Sequence, residues 1–478
     1  MTLEHDPNIA LDEASLQSAR GSLEIAAGDF DPLLSSTLTE ADDRTPLTAS
    51  SSSRTRTLQS NSGVVKRFRS GLSVEPQLDL VRTDEVTAGS DVVNTGTLRI
   101  IIRQPLLRGR GRAAANAVEL EAERELAASG LDLRQTIALR IQTVVAQYWT
   151  TEAEARNLDV LRESEESSRN LLENTRKLID ADQVPAADLV QLEANLAFKE
   201  SARIGGERQL FAARQNLGRE IGLDAAEIRR LPLPSEPFPA IRLDDLPPPA
   251  TAERLIEEAL RRRADLRAAR ERRAGVEIRR RAAENALKPQ LDLLLTPGYS
   301  GLMTGADAVS FLSPLYRNIP GASASVGLGL SVPFRNHRAR GALLQTEAVL
   351  KQSALAVDLL AKEIGADVPT ALDAVTRNAR QLERARQAVR LFERAVVNEE
   401  KKLRAGSSTL LDVITQRDRL TSARQSEVSS ELALALALLD LRFTTGTLLD
   451  DEISENGAAS MQTARLTTLP DLQEEDAP

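Results

Sequence analysis

The sequence predicts a mainly α protein of long antiparallel helical hairpins with a smaller β portion, all built twice. Three observations carry that prediction. Proline-marked junctions recur in the same order in the two halves of the chain. Ala, Leu, Arg and Glu dominate, while aromatics are only 3% with the single Trp at Trp149, a composition of long helices rather than of ring-filled cores. Between the helical stretches lie short segments in which apolar and polar residues alternate with a period of two.

The duplication is read from its punctuation. Phe30-Asp31-Pro32-Leu33-Leu34 and Leu287-Lys288-Pro289-Gln290-Leu291 each close an apolar-periodic stretch. Gln104-Pro105-Leu106-Leu107 and Val332-Pro333-Phe334 each open a very long helical run. Val184-Pro185-Ala186-Ala187-Asp188-Leu189 breaks the first run, and Gly406-Ser407-Ser408-Thr409-Leu410-Leu411-Asp412-Val413 breaks the second. The matching positions lie 257 (Pro32 to Pro289), 228 (Pro105 to Pro333) and 224 (Asp188 to Asp412) residues apart. A repeat in fixed order is one structural unit used twice. It divides the chain into a first repeat over 1–224, a proline-rich connector over 225–251, a second repeat over 252–448 and a polar acidic tail over 449–478 that is expected to be disordered.

Each element follows in turn. Residues 6–29 are periodic as an amphipathic helix, ended at Phe30-Asp31-Pro32 because the residue before proline is pushed out of the α region. Residues 30–107 are rich in Ser, Thr, Asp and Gly and hold two β-like runs, one from Gly71 onward and one over 97–103. In the second, Leu98, Ile100 and Ile102 share one face. Arg108, Arg110 and Arg112 alternate with Gly109 and Gly111 where strand becomes helix, the glycines permitting a sharp redirection. A helical hairpin follows over 108–222: a proline-free run from 108 to 179, of roughly 100 Å at 1.5 Å per residue, a turn at Val184-Pro185, and a returning helix over 186–221. In the second half a helix over 253–287 matches 6–29. Strands over 289–333 follow, with Leu291, Leu293 and Leu295 on one face and Val326, Leu328, Leu330 and Val332 alternating with Ser and Gly. A hairpin over 334–446 turns at Gly406 and Ser407. Pro369 falls inside its first helix, a position that costs ~3 kcal/mol without a kink. From Pro32 to Pro105 is 73 residues, against 44 from Pro289 to Pro333. The 29 extra residues are assigned to the region between 40 and 95, in the form of an added hairpin.

Composition excludes several classes of function. The 478 residues carry a net charge of -9 with both signs mixed, so no basic face for nucleic acid is expected. Without cysteine, disulfides, thiolate nucleophiles and Cys-ligated zinc are ruled out. His5 and His337 lie in different elements and read as solvated side chains. No catalytic motif, phosphate-binding loop, metal cluster or cofactor signature is found. No apolar run is long enough for a transmembrane helix. The start Met1-Thr2-Leu3-Glu4-His5-Asp6 lacks a basic n-region and an apolar h-region.

The combination resembles the TolC family of outer-membrane efflux proteins over about 6–448. The specific matches are Pro105-Leu106-Leu107-Arg108-Gly109, Ala146-Gln147-Tyr148-Trp149, the run from Ala181 to Leu189, Arg263-Ala264-Asp265-Leu266, Lys288-Pro289-Gln290-Leu291, and Gly406 with Leu411-Asp412-Val413. The resemblance implies a homotrimer in which four β-strands per subunit form one shared barrel of about twelve in the outer membrane. Leu98, Ile100, Ile102, Leu291, Leu293, Leu295, Val326, Leu328, Leu330 and Val332 would face lipid. The helices would form a tunnel through the periplasm, with a periplasmic adaptor (membrane fusion) protein and an inner-membrane transporter docked at its far end. The chain would be the passive conduit of a tripartite efflux or type I secretion system. Val184, Pro185, Gly406 and Ser407 would be the hairpin tips, and Asp188 and Asp412 would line the entrance. An Asp in a helix's first turn also meets the macrodipole favourably, which is the structural alternative. Thr415 and Ser408 depart from the family's acidic and basic pattern there. The family is secreted, so a start without a signal peptide implies a truncated or misassigned N-terminus. The competing reading is a cytoplasmic coiled-coil scaffold in which the β-like runs are loops.

Overall fold

The structure is a computed structural model, and it describes residues 6–48, 51–85, 91–180, 188–239, 251–317 and 321–449. Its elements run α1 (Pro7–Gly28), β1 (Leu33–Thr48), β2 (Ser51–Arg67), β3 (Ser73–Glu85), β4 (Val93–Pro105), α2 (Arg112–Ala115), α3 (Ala117–Asp180), α4 (Asp188–Ile221), α5 (Ala225–Arg230), α6 (Thr251–Arg262), α7 (Ala264–Ala286), β5 (Gln290–Thr304), α8 (Ala308–Leu312), β6 (Gly321–Ser331), α9 (His337–Arg404) and α10 (Leu410–Thr444). The chain divides into two compact units. One comprises Met1–Ser15, Gly130–Ala268 and Val357–Pro478; the other comprises Leu16–Ser129 and Ala269–Ala356.

The second unit holds the sheet. Six strands, not the four expected, pair antiparallel in the order β1-β2-β3-β4-β5-β6. The runs from Gly71 and over 97–103 fall within or just before β3 and β4. The additional strands are β1 and β2, and they begin at Leu33, before the region assigned to the extra residues. Neither face of β1 or β2 is continuously apolar, so the period-two signal is missing there. Their ladder is backbone-driven and runs from Leu33↔Val65 to Thr48↔Ser51. The reading of the β-like runs as loops of a coiled-coil scaffold is overturned by this sheet.

The first unit is helical. Its core gathers Trp149, Phe238, Val428, Leu439 and Leu448, with Ile141, Tyr148 and Phe443 packed around them. The aromatic ring of Trp149 is 4% exposed and supplies much of the buried area there. The Tyr148 hydroxyl accepts hydrogen bonds from the Ser235 and Glu236 amides at 3.2 and 3.3 Å, and the Arg156 guanidinium lies 4.7 Å from the Phe238 ring centre. These contacts pin the proline-rich segment that follows α5. A second cluster joins Leu172, Leu192 and Ile414.

Three helix boundaries differ from expectation. The long helix begins at Ala117 rather than 108, because Gly109 and Gly111 take positive φ of 81° and 86°. The helix expected over 253–287 is two, α6 and α7, interrupted at Arg263. The connector expected over 225–251 opens with the helical turn α5. Asp224 caps it by accepting from the amides of Ala226 and Glu227 at 2.7 and 2.8 Å, while Glu227 accepts from the Asp224 amide at 2.9 Å, a capping box. The prolines start only at Pro232. α9 runs 68 residues, continuous through Pro369.

Candidate functional site

The strand register decides which side chains share a face. Leu295 lies opposite Ile102 on β4 and Val326 on β6. Leu293 lies opposite Leu328, and Leu291 opposite Leu330. Ile100 and Leu98 lie opposite Pro76 and Leu78 of β3. All nine of the strand positions singled out in the sequence therefore fall on one face, and Val332 follows just after the end of β6. Val326, Leu328 and Leu330 are 74%, 68% and 67% exposed, so the chain by itself leaves this apolar surface uncovered. The opposite face is polar. There Arg99 bridges Asp79 at 3.0 Å and donates to Gln77 at 2.8 Å.

The apolar face has a defined far limit. The short segment after α8, Ser313–Leu315, lies flat against the sheet over Gly96 and Gly301. A Cβ at Gly301 would stand 2.1 Å from the Pro314 carbonyl oxygen, so only glycine lets the backbone approach this closely. Arg82 fixes the segment by donating to the Asp307 carbonyl at 2.6 Å and covering the Phe311 ring at 5.2 Å. From Gly96 to Pro105 is a stretch of about the nine to eleven residues that a tilted strand needs to cross a bilayer core. On β1 and β2 the same face carries Leu34, Ser36 and Leu38 opposite Val64, Ser62 and Ser60. The hydroxyls of Ser36 and Ser62 bond to each other at 2.8 Å. Farther along, Asp42 accepts from Arg54 at 2.8 Å.

At the other end of the strands a clamp joins sheet to helices. The β2–β3 turn closes through the Phe68 amide to the Leu72 carbonyl and the Gly71 amide to the Phe68 carbonyl, each at 2.8 Å. Gly71 has φ of 92°, and a Cβ there would lie 2.3 Å from the Gly109 oxygen. The Gly111 amide donates to the Ser70 carbonyl at 3.0 Å. Arg69 spans Phe30 at 5.0 Å and grips Glu119 in the first turn of α3, its Nε 2.6 Å from Oε2. That guanidinium holds the Glu119 carboxyl below its ordinary pKa. Gln290 accepts from Arg108, and Asn285 accepts from the Gly109 amide at 2.7 Å. Sequence reading missed this clamp, since Arg69 and Glu119 are 50 residues apart with no motif between them.

The turn joining α9 to α10 is the described hairpin tip. Gly406, at φ 74°, ends α9. Its amide bonds to the Leu403 carbonyl and that of Ser407 to the Lys402 carbonyl, both at 3.0 Å, the Schellman arrangement. Thr409 then caps α10, accepting from the Asp412 amide at 3.3 Å, while Asp412 accepts from the Thr409 amide at 3.1 Å and hydroxyl at 2.6 Å. These bonds from Thr409 lower the Asp412 pKa. Hydrogen bonds from Ser408 and Lys402 lower that of Glu399 beside it. The exposed Asp412 is thus engaged in helix capping. Val184 and Pro185 lie outside the described residues, as does the side chain of Asp188, the first residue of α4.

Among the described residues, no group of acidic or histidine side chains is arranged to hold a metal ion, and no helix is long and apolar enough to cross a membrane.

Residues 255–447 match the family model described as outer membrane efflux protein. The chain is 30% identical over 310 residues to the pyoverdine export outer membrane protein OpmQ of Pseudomonas putida, a match covering 65% of this chain and 62% of that protein. The chain thus spans about 62% of the length of this curated relative. Among solved structures, the outer-membrane channel OprN superposes with a TM-score of 0.64 at 18% identity, over 93% of this chain and 88% of the other. The outer membrane protein VceC of Vibrio cholerae gives 0.63 at 16% identity, over 93% and 94%. The CmeC outer membrane channel of Campylobacter jejuni gives 0.64 at 14% identity, over 95% and 85%. Both helical hairpins and the sheet thus have the fold of outer-membrane channels.

Proposed function

We propose, from the premise that this chain belongs to the outer membrane efflux protein family, that it is the outer-membrane conduit of a tripartite efflux or type I secretion system. It conducts passively and carries no catalytic centre. The observation that carries this reading is the two-faced sheet: over β3–β6 one apolar face, left exposed on β6, and one mainly polar face, with two outer edges, on β1 and β6, without a strand partner among the described residues. Apolar outside and polar inside is the arrangement of a membrane barrel, and unpaired edges in lipid require closure.

Three copies of the chain close the sheet and place the helices side by side as a periplasmic tunnel. Support for lateral packing comes from α4, where Val190, Phe198, Ile204 and Phe211 are all more than half exposed at roughly heptad spacing, a seam that a neighbouring helix covers. α3 and α9, of 64 and 68 residues, are long enough at 1.5 Å per residue to cross a periplasm, roughly 100 Å. An adaptor protein and an inner-membrane transporter then meet the hairpin tips, supplying energy and choosing cargo. Asp412 and Asp188 ring the entrance in the trimer, where carboxylates favour cations.

The test is extraction and conductance. The protein should partition into the detergent fraction of outer membranes, run as a heat-modifiable trimer and open ion-conducting pores in planar bilayers. A monomer that stays in the aqueous fraction without detergent sinks the proposal. For the entrance, Asp412→Ala should change single-channel conductance and cation preference; unchanged values would confine Asp412 to capping α10.

A further inference from the structure

We infer that the β1–β2 hairpin is part of the barrel wall, so that the trimer closes as an eighteen-stranded cylinder in which β1 of each copy pairs with β6 of the next. This rests on the trimeric reading above and adds what that reading leaves open, the width of the barrel and the strand that forms the seam.

The register is the first reason. β2 pairs with β3 from Arg67↔Ser73 through Thr55↔Glu85, and with β1 over its full length. The hairpin is thus continuous with the sheet from the helix end upward, not a projection attached only at the top. The second reason is its anchorage. Both strands are held at the helix end by the same clamp that sets β4 and α3. Lys66 donates to the Phe30 carbonyl, Ser70 accepts from Gly111, and Arg69 holds Glu119. A mobile extracellular insert would have no such fastening. The third reason is the entry of the chain. β1 follows α1 through Phe30-Asp31-Pro32, as β5 follows α7 through Leu287-Lys288-Pro289. In both halves the strand that leaves the short helix starts the wall.

Closure is also stereochemically direct. β1 and β6 run in opposite directions, so their pairing between copies is antiparallel like every pairing within the sheet. Two of the outward serines of the hairpin, Ser36 and Ser62, bond to each other, which lowers their cost of burial in lipid. Since barrel diameter grows roughly linearly with strand number, eighteen strands give a cylinder about half as wide again as twelve, in the range where an aqueous channel remains.

The chain has no cysteine, so disulfide trapping has no background. Ser325→Cys on the polar face of β6 is combined in the full chain with Ser35→Cys, Thr37→Cys or Thr39→Cys on β1, a panel that covers the unknown stagger. In parallel it is combined with Gln77→Cys or Val81→Cys on β3. Each purified trimer is oxidised in detergent and denatured without reductant. One of the β1 pairs should shift the monomer band to covalent dimer and trimer, and neither β3 pair should do so. An intact trimer in which no β1 position crosslinks overturns the inference and leaves the conduit reading standing; crosslinking through β3 would further place the hairpin outside the wall. A chain that is monomeric before oxidation overturns the trimeric reading and this inference together.

Discussion

The two terminal hairpins of the sheet, β1–β2 and β5–β6, have the same antiparallel pairing and opposite surfaces. β5–β6 shows Leu291, Leu293 and Leu295 against Leu330, Leu328 and Val326 on its exposed face. At the corresponding face β1–β2 alternates apolar residues with serine and then gives way to Asp42, Arg54 and Arg56. Pairing is therefore not set by side-chain chemistry in this sheet. Backbone hydrogen bonds and turns define the strands, and the side chains report the medium that each stretch meets.

The largest test of that difference places a charge on each hairpin. Leu328→Arg should destabilise the membrane-inserted protein by about 2–4 kcal/mol if the face lies near the bilayer midplane. Thr45→Arg, near the tip of β1–β2, should stay within about 0.5 kcal/mol. Urea unfolding in lipid vesicles measures both, and equal costs would erase the distinction between the two hairpins.

Next comes the turn that carries β2 into β3. Gly71→Ala meets both a positive φ and the Gly109 carbonyl, and should cost roughly 1–3 kcal/mol. Loss of the heat-resistant oligomer at a lower temperature would report it. A neutral outcome would mean that the hairpin is not fastened at the helix end.

The third effect is one of pH. Glu119 titrates below its ordinary value in the folded protein because Arg69 binds its charged form. A depressed carboxylate contributes stability above its unfolded value, and that contribution is lost as pH falls through the lower folded value. Wild type should therefore lose stability on acidification below about pH 4.5, and Glu119→Gln should lack this component of the decline. Parallel acid titrations of the two proteins would show the clamp to be inert.

The smallest effect concerns the serine pair. Ser36→Ala alone leaves the Ser62 hydroxyl unpaired and should cost about 1 kcal/mol, whereas the Ser36→Ala, Ser62→Ala double variant should be nearly neutral. A double-mutant cycle in vesicles measures the coupling. Additive losses would show both hydroxyls bonded to water instead of to each other.

How much of this was legible depends on contrast. β4, β5 and β6 could be read because Leu and Ile alternate with Arg, Ser and Gly, and the helical hairpins could be read from their length and punctuation. An added hairpin was foreseen from the 29 extra residues, but β1 and β2 could not be placed, since Thr-Leu-Thr-Glu-Ala-Asp presents no apolar side to detect. The break between α6 and α7 carries no proline or glycine; Arg263 sits there, bonded through Nε to Asp265 at 3.1 Å, an arrangement that composition does not announce. The apolar face of the site was accessible one strand at a time. The Arg69–Glu119 clamp was not, because nothing local in the sequence ties a turn to a helix 50 residues later.

Apart from the short α8 between β5 and β6, the passages between strand and helix occur at one rim of the sheet: into β1, out of β4, into β5 and out of β6. A single inserted strand would deliver the chain, and the helix that follows it, to the opposite rim. The sheet can therefore widen only in steps of two strands, and any such step returns the chain to the same rim. Hairpins in this sheet are in that sense exchangeable parts, and adding or removing one re-sizes it without re-routing the chain.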